Sequence, residues 1–310
     1  MLTKAERIRG GLFGLLVGDA LGVPYEFHLA TQIPPLSEIE MNPPLGFNRT
    51  YPHIPVGTWS DDGAQALCLL DSLLTCGRLD SGHFANQIQQ WLRKGKWAID
   101  AVVFDCGIQT EEAILAYEKG MPPLKAGLVR PNGKGNGSLM RVLPLALWHQ
   151  GSDEDLVHDA HIQSMVTHGH ETNQVCCALY ILWARRMLEG LHPHEAYQEA
   201  LSTLRQIYPD NSTYQAELEF TLRPDLKPTT DGSGYVVDTF NCARIVIQEE
   251  SYEKVVKTAI SFGNDTDTNA AVAGGLAGIR DGLAGIPEKW INQLRGKEMV
   301  ESLLTQLLSS

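Results

Sequence analysis

The sequence lacks the patterns that mark membrane, disulfide-rich and zinc-binding proteins. It has no run of eighteen apolar residues, so we expect no membrane span. None of its six cysteines forms a Cys-x-x-Cys pair, and we expect buried, reduced thiols instead of disulfides or zinc sites. A basic N-terminus precedes an apolar stretch, but Asp19 and Glu26 interrupt that stretch and no cleavage pattern follows. We therefore expect a cytoplasmic protein.

Positive charge is also scarce. The 310 residues contain 25 Lys and Arg against 37 Asp and Glu, which gives a net charge of −12. Such a protein repels a phosphate backbone, so we expect no nucleic-acid partner. An apolar content of 43% in a chain of this length is typical of globular proteins with a sizeable core.

No convincing alternating strand pattern, repeat period or domain linker occurs, and the short run 101–104 is ambiguous. Apolar residues instead recur at helical spacing, which predicts about a dozen helices in one all-α domain over residues 1–310. Pro144 interrupts an apolar run and is expected to kink it. The predicted helices include 5–20, 64–74, 81–92, 111–117, 153–165, 171–188, 193–207, 213–222, 236–248, 265–282, 288–294 and 297–308.

The first predicted helix contains Gly10, Gly11, Gly14 and Gly18. Each glycine inside a helix costs about 1 kcal/mol, so this pattern predicts that another backbone or a ligand approaches closely. The long connection 31–54 contains five prolines, and connections of this length are often lids or binding loops.

Two short acidic segments each stand at a predicted helix start. Gly263 opens the stretch 263–269, which contains Asp265, Asp267 and Thr268, and Ser60, Asp61 and Asp62 form the second group. Such residues cap helices, but hard divalent cations also prefer carboxylate and hydroxyl oxygens. If the two turns face each other, their four carboxylates suit two cations about 3.5–4 Å apart. Asp19 and Glu26 either cap helix ends or add acids that such a site needs for proton transfer.

A glycine-rich loop precedes residue 139. Gly135, Asn136, Gly137 and Ser138 are not followed by the Lys-Ser/Thr of a Walker A motif. Their N–H groups could cradle a phosphate, and a plain flexible loop fits the spacing equally well. Two histidines, His168 and His170, face apart on a regular element, which argues against zinc.

Five motifs in this order resemble the ADP-ribosylglycohydrolase family, and the resemblance runs from about residue 5 to about residue 295. It implies an all-α orthogonal bundle with two Mg²⁺ or Mn²⁺ ions that hydrolyses the glycosidic bond between ADP-ribose and an acceptor. The motifs are Gly18-Asp19-Ala20-Leu21-Gly22 with Glu26; Ser60-Asp61-Asp62; Gly135-Asn136-Gly137-Ser138-Leu139-Met140-Arg141; Thr167-His168; and Asp265-Thr266-Asp267-Thr268.

The resemblance also implies roles for individual residues. The metals would hold the 2′- and 3′-hydroxyls of the distal ribose, and Glu26 would stand at the gate of the site. The loop at Gly135 would lie against the diphosphate, and Asp105 resembles the acid that contacts the guanidinium in arginine-directed members. The implied metal ligands are Ser60, Asp61, Asp62, Asp265, Asp267 and Thr268. The implied catalytic residues are Glu26, Asp61 and Asp105, and the substrate-binding residues are Asp19, Gly135, Asn136, Gly137, Ser138, Met140, His168, Tyr235 and Gly263.

Two positions depart from the family pattern. Ser60 stands where the family usually has Thr, and its hydroxyl is expected to ligate in the same way. Asn264 stands where the family usually has a second glycine, and it either narrows the pocket or has no effect.

The leading hypothesis is therefore a monomeric, metal-dependent hydrolase that removes ADP-ribose from protein arginine and releases free ADP-ribose. Hydrolysis of another linkage, to serine, a nucleobase or a small molecule, is the alternative within the same chemistry. A non-catalytic ADP-ribose-binding protein would show missing metal ligands, and all four carboxylates are present. A general metal phosphohydrolase would release AMP or phosphate instead of intact ADP-ribose.

Overall fold

Helices account for the regular structure of residues 2–309, which the computed structural model describes. The described residues form fifteen α-helices and no sheet, and their only β-bridges are isolated pairs. The all-α prediction is confirmed. The helices are α1 (Lys4–Gly22), α2 (Asp61–Cys76), α3 (Ser81–Lys94), α4 (Ile108–Glu118), α5 (Pro123–Ala126), α6 (Leu143–Trp148), α7 (Asp153–Met165), α8 (Glu171–Leu188), α9 (Pro193–Ile207), α10 (Thr213–Ala216), α11 (Val236–Val246), α12 (Tyr252–Ser261), α13 (Thr266–Asp281), α14 (Glu288–Gln293) and α15 (Lys297–Ser309).

Most predicted helix ends are shifted by up to three residues, and three segments differ in kind from what the sequence suggested. The apolar run around Pro144 is not a kinked helix, because α6 begins at Leu143 and the proline lies in its first turn. A proline is tolerated there since first-turn N–H groups have no partner within the helix. The predicted helix 213–222 divides into α10 and a π-helical segment, Glu217–Leu222. The ambiguous run 101–104 forms no strand and follows a 3₁₀ turn, Ile99–Ala101.

Helices α1 and α13 lie against each other along a seam of glycines. A Cβ atom at Gly10 would lie 2.1 Å from the Gly278 carbonyl oxygen, and one at Gly14 would lie 2.4 Å from the Gly274 carbonyl oxygen. The Tyr252 hydroxyl of α12 also donates to the Gly14 carbonyl at 2.6 Å. The predicted close approach is therefore confirmed, and the approaching group is the backbone of α13.

The core extends around α8, whose residues are buried on nearly every face. Cys68, Cys176, Cys177 and Cys242 are buried in this core, as expected from their apolar sequence neighbours. Between residues 2 and 309, no helix combines the length and apolar character that crossing a membrane requires.

Candidate active site

The N-termini of α2 and α13 bring the two acidic turns together. The Thr268 hydroxyl, in the first turn of α13, donates to Asp62 Oδ2 at 3.3 Å. The Ser60 hydroxyl donates to the same oxygen at 3.2 Å. Groups about 200 positions apart in the chain therefore share one carboxylate, as the hypothesis of facing turns requires.

Helix capping accounts for one turn and not for the other. Ser60 is the N-cap of α2, and its hydroxyl accepts from the Asp62 N–H at 3.3 Å. Asp265 occupies the N-cap position of α13 but makes no side-chain capping hydrogen bond. Its carboxylate accepts instead from Asn136 Nδ2 at 2.9 Å, which ties the glycine-rich loop to the acidic turn.

Three carboxylates from distant parts of the chain converge beside these turns. One oxygen from each of Glu26, Asp105 and Asp267 lies within 4.8 Å of the others. Both Asp267 oxygens, together with Glu26 Oε2 and Asp62 Oδ1, are buried without a hydrogen-bond partner among the described residues. Buried acceptors are nearly always paired, so these four oxygens mark a place built for a group that supplies positive charge or protons.

The pKa values of the clustered carboxyls also indicate a site for a group that supplies positive charge or protons. Burial raises the pKa of Glu26 to about 10, and the charges of Asp105 and Asp265 contribute to the increase. Burial also raises the pKa values of Asp61, Asp62 and Asp267 well above the usual range, with further increases from neighbouring carboxylates. Without cations, like charges this close cannot all ionise.

The donor set fits a hard divalent cation. Every candidate ligand atom is a carboxylate or hydroxyl oxygen, which Mg²⁺ and Mn²⁺ prefer, and no sulfur or imidazole ligand belongs to the described cluster. The unpaired oxygens of Asp62 and Asp267 are the ones that a cation would satisfy.

Asp19 stabilises the N-terminus of α2 through hydrogen bonds. Its carboxylate accepts from the Ser60 N–H at 2.9 Å and from the Gly63 N–H at 2.8 Å, and its side chain is fully buried. Asp19 is not among the residues that line the cavity described below. Its hydrogen bonds fix the backbone that carries Asp61 and Asp62.

A buried arginine connects the acidic turn to His168. Arg141 Nη1 donates to Gln65 Oε1 at 2.9 Å, and Gln65 Nε2 donates to Asp61 Oδ2 at 3.2 Å. Arg141 Nη2 also donates to the Thr167 hydroxyl at 2.8 Å, which lies 2.7 Å from His168 Nδ1. Burial, followed by the charge of Arg141, lowers the pKa of His168 to about 3, so the imidazole is neutral at physiological pH.

A cavity of about 380 Å³ opens onto the cluster. Asp61, Asp265 and Thr268 reach it from the two acidic turns, and Glu26 and Asp105 reach it from loops. A second cavity of about 490 Å³ adjoins it, shares Gly135 and is lined by Tyr235 and Lys134. The substrate-binding residues predicted from the sequence that line the first cavity are Gly135, Asn136, Gly137, Met140 and His168.

Besides Asp19, two of the predicted substrate residues lie away from both cavities. Ser138 is fully buried, and its hydroxyl accepts from Ser164 Oγ at 2.9 Å. Gly263 pairs with Leu29 in an isolated antiparallel bridge, and a Cβ there would lie 2.5 Å from the Ala30 nitrogen. Both therefore support the cavity wall.

The sequence prediction missed several residues of the cavity. Phe27, Cys106, Ile108 and Gln109 all line it, as does Thr110. The one signal in the sequence was their position within or beside motifs that contain Glu26 and Asp105. Side chains of these types have no pattern of their own that marks a site.

Several known proteins are similar to this chain over most of its length. A family model described as ADP-ribosylglycohydrolase matches residues 1–310. The chain is 28% identical to the ADP-ribosylarginine hydrolase Tri1 of Pseudomonas putida, across 97% of this chain and 78% of that protein. It is 26% identical to the ADP-ribosyl-[dinitrogen reductase] glycohydrolase of Rhodospirillum rubrum, across 93% and 90%. A solved structure described as an ADP-ribosylglycohydrolase-related protein complex superposes with a TM-score of 0.78 at 30% identity, across 99% of this chain and 98% of that one.

Proposed function

Because the chain belongs to the ADP-ribosylglycohydrolase family, we propose that it hydrolyses the bond between ADP-ribose and an arginine side chain of a protein, with two bound divalent cations. The observation that carries the proposal is the group of unpaired buried oxygens on Glu26, Asp62 and Asp267, which stand beside a cavity lined by Asp105. The similarity to a hydrolase named for ADP-ribosylarginine supports the choice of acceptor.

Hydrolysis breaks the bond between the anomeric carbon of the distal ribose and a guanidinium nitrogen. The oxygen of one water molecule bonds to that carbon, and the electron pair of the broken bond goes to the nitrogen. One proton of the water goes to a carboxylate, and the departing nitrogen takes up a proton. The products are ADP-ribose and unmodified arginine.

Each residue around the cavity has a proposed role that follows from its position. Asp105, which lines the cavity, would pair with the guanidinium and orient it. Glu26, whose pKa burial raises, would hold and transfer the proton at its carboxyl oxygens. The backbone of Gly135 and Gly137 would bind the diphosphate, since these residues line the cavity between the cluster and Tyr235.

The cations would be held by Ser60, Asp61, Asp62, Asp265, Asp267 and Thr268. When bound, they supply positive charge that offsets the carboxylates and polarises substrate oxygens. Glu26 and Asp105 each have a carboxylate oxygen within 4.8 Å of an Asp267 oxygen. They would therefore orient water and substrate groups beside the cations.

A product assay by mass spectrometry tests the proposal. The protein is incubated with ADP-ribosyl-arginine and ADP-ribosyl-serine peptides in Mg²⁺, Mn²⁺ or EDTA. We expect release of intact ADP-ribose from the arginine peptide, loss of turnover in EDTA, and loss in Asp61→Asn and Asp267→Asn. Asp105→Ala should lower kcat/KM for the arginine peptide by roughly 10- to 100-fold, as expected when a charged hydrogen-bond partner is removed.

Asp159→Asn is the matched control, because this half-buried carboxyl lies on α7 and lines neither cavity. Release of AMP, or turnover that survives EDTA and both Asp→Asn changes, would refute the proposal. Faster release from the serine peptide would reassign the acceptor.

A further inference from the structure

The mouth of the acidic cavity carries two exposed apolar side chains. Phe27 is 67% exposed and Ile108 is 78% exposed, and both line the cavity together with Glu26, Asp61 and Asp105. Large apolar side chains grouped at a cavity commonly mark a surface that a ligand covers. We refer to Phe27 and Ile108 as the apolar rim.

Backbone hydrogen bonds hold the first rim residue, Phe27, in a backbone conformation that is unfavourable for a residue with a Cβ atom. Phe27 has a φ of 60°, in the left-handed region that residues with a Cβ rarely adopt. Its N–H donates to the Asn264 carbonyl at 2.6 Å, and the Asn264 N–H donates to the His28 carbonyl at 2.6 Å. These bonds attach Phe27 to the turn that precedes Asp265, so the ring is presented by the same backbone that builds the cluster.

The second rim residue belongs to a different segment of the chain. Ile108 is the first residue of α4, and it follows Asp105 by three positions. Asp105 also has a left-handed φ, 53°. Gln109, the residue after Ile108, donates from Nε2 to the Gly133 carbonyl at 3.2 Å. Strained residues concentrate at functional sites, where the surrounding structure holds them in place.

Acids at the cavity floor and apolar groups at its mouth complement a side chain with a hydrocarbon stem and a cationic head. Among the described residues that line the cavity, none is Lys or Arg, and four are Asp or Glu. Two of these four, Glu26 and Asp105, are not assigned to the cations. A guanidinium can pair with Asp105 while its methylene groups lie on apolar surface, and an aromatic ring also attracts a nearby cation.

We propose that the apolar rim binds the hydrocarbon stem of the ADP-ribosylated arginine and makes the enzyme selective for acceptors that have such a stem. The inference rests on the proposed function and extends it from the guanidinium to the carbon chain behind it. The rim residues act on acceptor binding, whereas Glu26 and Asp105 act at the bond that breaks.

The test compares two substrates that share the bond and differ in the stem. ADP-ribosylguanidine has no methylene groups, and ADP-ribosylagmatine has four. We expect the unaltered protein to prefer ADP-ribosylagmatine by about tenfold in kcat/KM, the lower end of what a bound methylene contributes in an apolar site. Phe27→Ala and Ile108→Ala should each remove most of that preference, and Phe27→Leu should restore it in part because leucine keeps apolar surface.

Phe220→Ala provides the matched control, since Phe220 is 75% exposed and lines a different cavity with Arg223 and Leu226. It should leave both kcat/KM values as they are in the unaltered protein. Equal slowing of both substrates by Phe27→Ala would overturn the inference, because it would mean that the ring acts on ADP-ribose or on Glu26. A preference that persists in both rim variants would also overturn it. If the unaltered protein cleaves neither these substrates nor the ADP-ribosyl-arginine peptide, the proposed function itself is wrong and the inference is lost with it.

Discussion

Single residues with unusual backbone angles surround the cavity. Phe27, Asp105 and Asn264 all have φ between 53° and 60°. The sequence allows two outcomes for Asn264, which stands where the family usually has glycine: a narrower pocket or no effect. Asparagine tolerates this left-handed conformation better than most residues, and its Nδ2 donates to the Asp231 carbonyl at 2.7 Å. Asn264 is not among the residues lining the cavity, so the second outcome, no effect on the pocket, is the one the geometry favours.

Asp19 leads to a prediction about stability. Asp19→Asn would place an NH₂ group at the position of one of the two oxygens that now accept from the Ser60 and Gly63 N–H groups. One buried donor would lose its partner, and we expect the free energy of unfolding to fall by roughly 2 kcal/mol. Urea denaturation followed by circular dichroism measures the change.

The control is Asp80→Asn at the N-terminus of α3, where the side chain accepts from the His83 N–H at 2.9 Å. Asparagine caps helices as well as aspartate does, so this variant should retain its stability. An equal loss in both variants would contradict a special role for Asp19.

At the scale of elements, the glycine seam between α1 and α13 determines where the acidic turn lies. Gly22 continues the seam, since a Cβ there would lie 2.4 Å from the Asp267 Cα atom. The Thr266 hydroxyl also donates to the Gly22 carbonyl at 2.8 Å. The close packing of the two helices therefore brings Asp267 to the level of Glu26, which follows α1 by four residues.

Gly14→Ala tests this arrangement. The added methyl group would lie 2.4 Å from the Gly274 carbonyl oxygen, a backbone atom that cannot move unless α13 moves. We expect a loss of about 3 kcal/mol in the free energy of unfolding, as for overpacked cores, together with a lower kcat. Thermal melting and the ADP-ribose release assay provide the two measurements.

Gly82→Ala is the matched control, because it also lies in a helix and its Cβ would have only one neighbour, Asp80 Oδ1, at 3.5 Å. We expect no loss of stability or activity there. If Gly14→Ala were equally neutral, the seam would not constrain the positions of the helices.

Over the whole molecule, the fold concentrates carboxyl groups in its interior. The chain has a net charge of −12, and Asp19, Glu26, Asp61, Asp62 and Asp267 are all at most 5% exposed. Burial raises the pKa of each of these carboxyls, which means that the fold opposes their ionisation. Cations that bind the folded chain and not the unfolded chain would relieve this repulsion and stabilise the protein.

Removal of divalent cations should therefore lower the melting temperature. At a cation concentration about 100 times the Kd, each of the two cations contributes about 2.7 kcal/mol, and we expect Tm to rise by roughly 8 °C over its value in EDTA. Scanning calorimetry with Mg²⁺ or Mn²⁺, against NaCl of equal ionic strength, measures the rise. It should disappear in Asp62→Asn/Asp267→Asn, and a rise that persists in that double variant would place the cations elsewhere.

The sequence by itself determined most of the helices and the set of oxygen donors at the two acidic turns. Helical periodicity is a local property, so α7, α8 and α9 have the predicted boundaries. The preference of carboxylate and hydroxyl oxygens for hard cations is also a property of the residues alone. For the same reason, a close backbone approach at the glycines of α1 followed from their spacing.

Only the tertiary structure decided which acids act together. Asp19 supports a helix start, Asp265 does not cap its own helix, and Asp105 joins Glu26 and Asp267. The rim residues Phe27 and Ile108 show no sequence pattern that distinguishes them from core residues. Convergence and exposure depend on how distant segments pack, because a side chain's environment is created by residues far away in the chain, as when α13 brings Thr268 to Asp62.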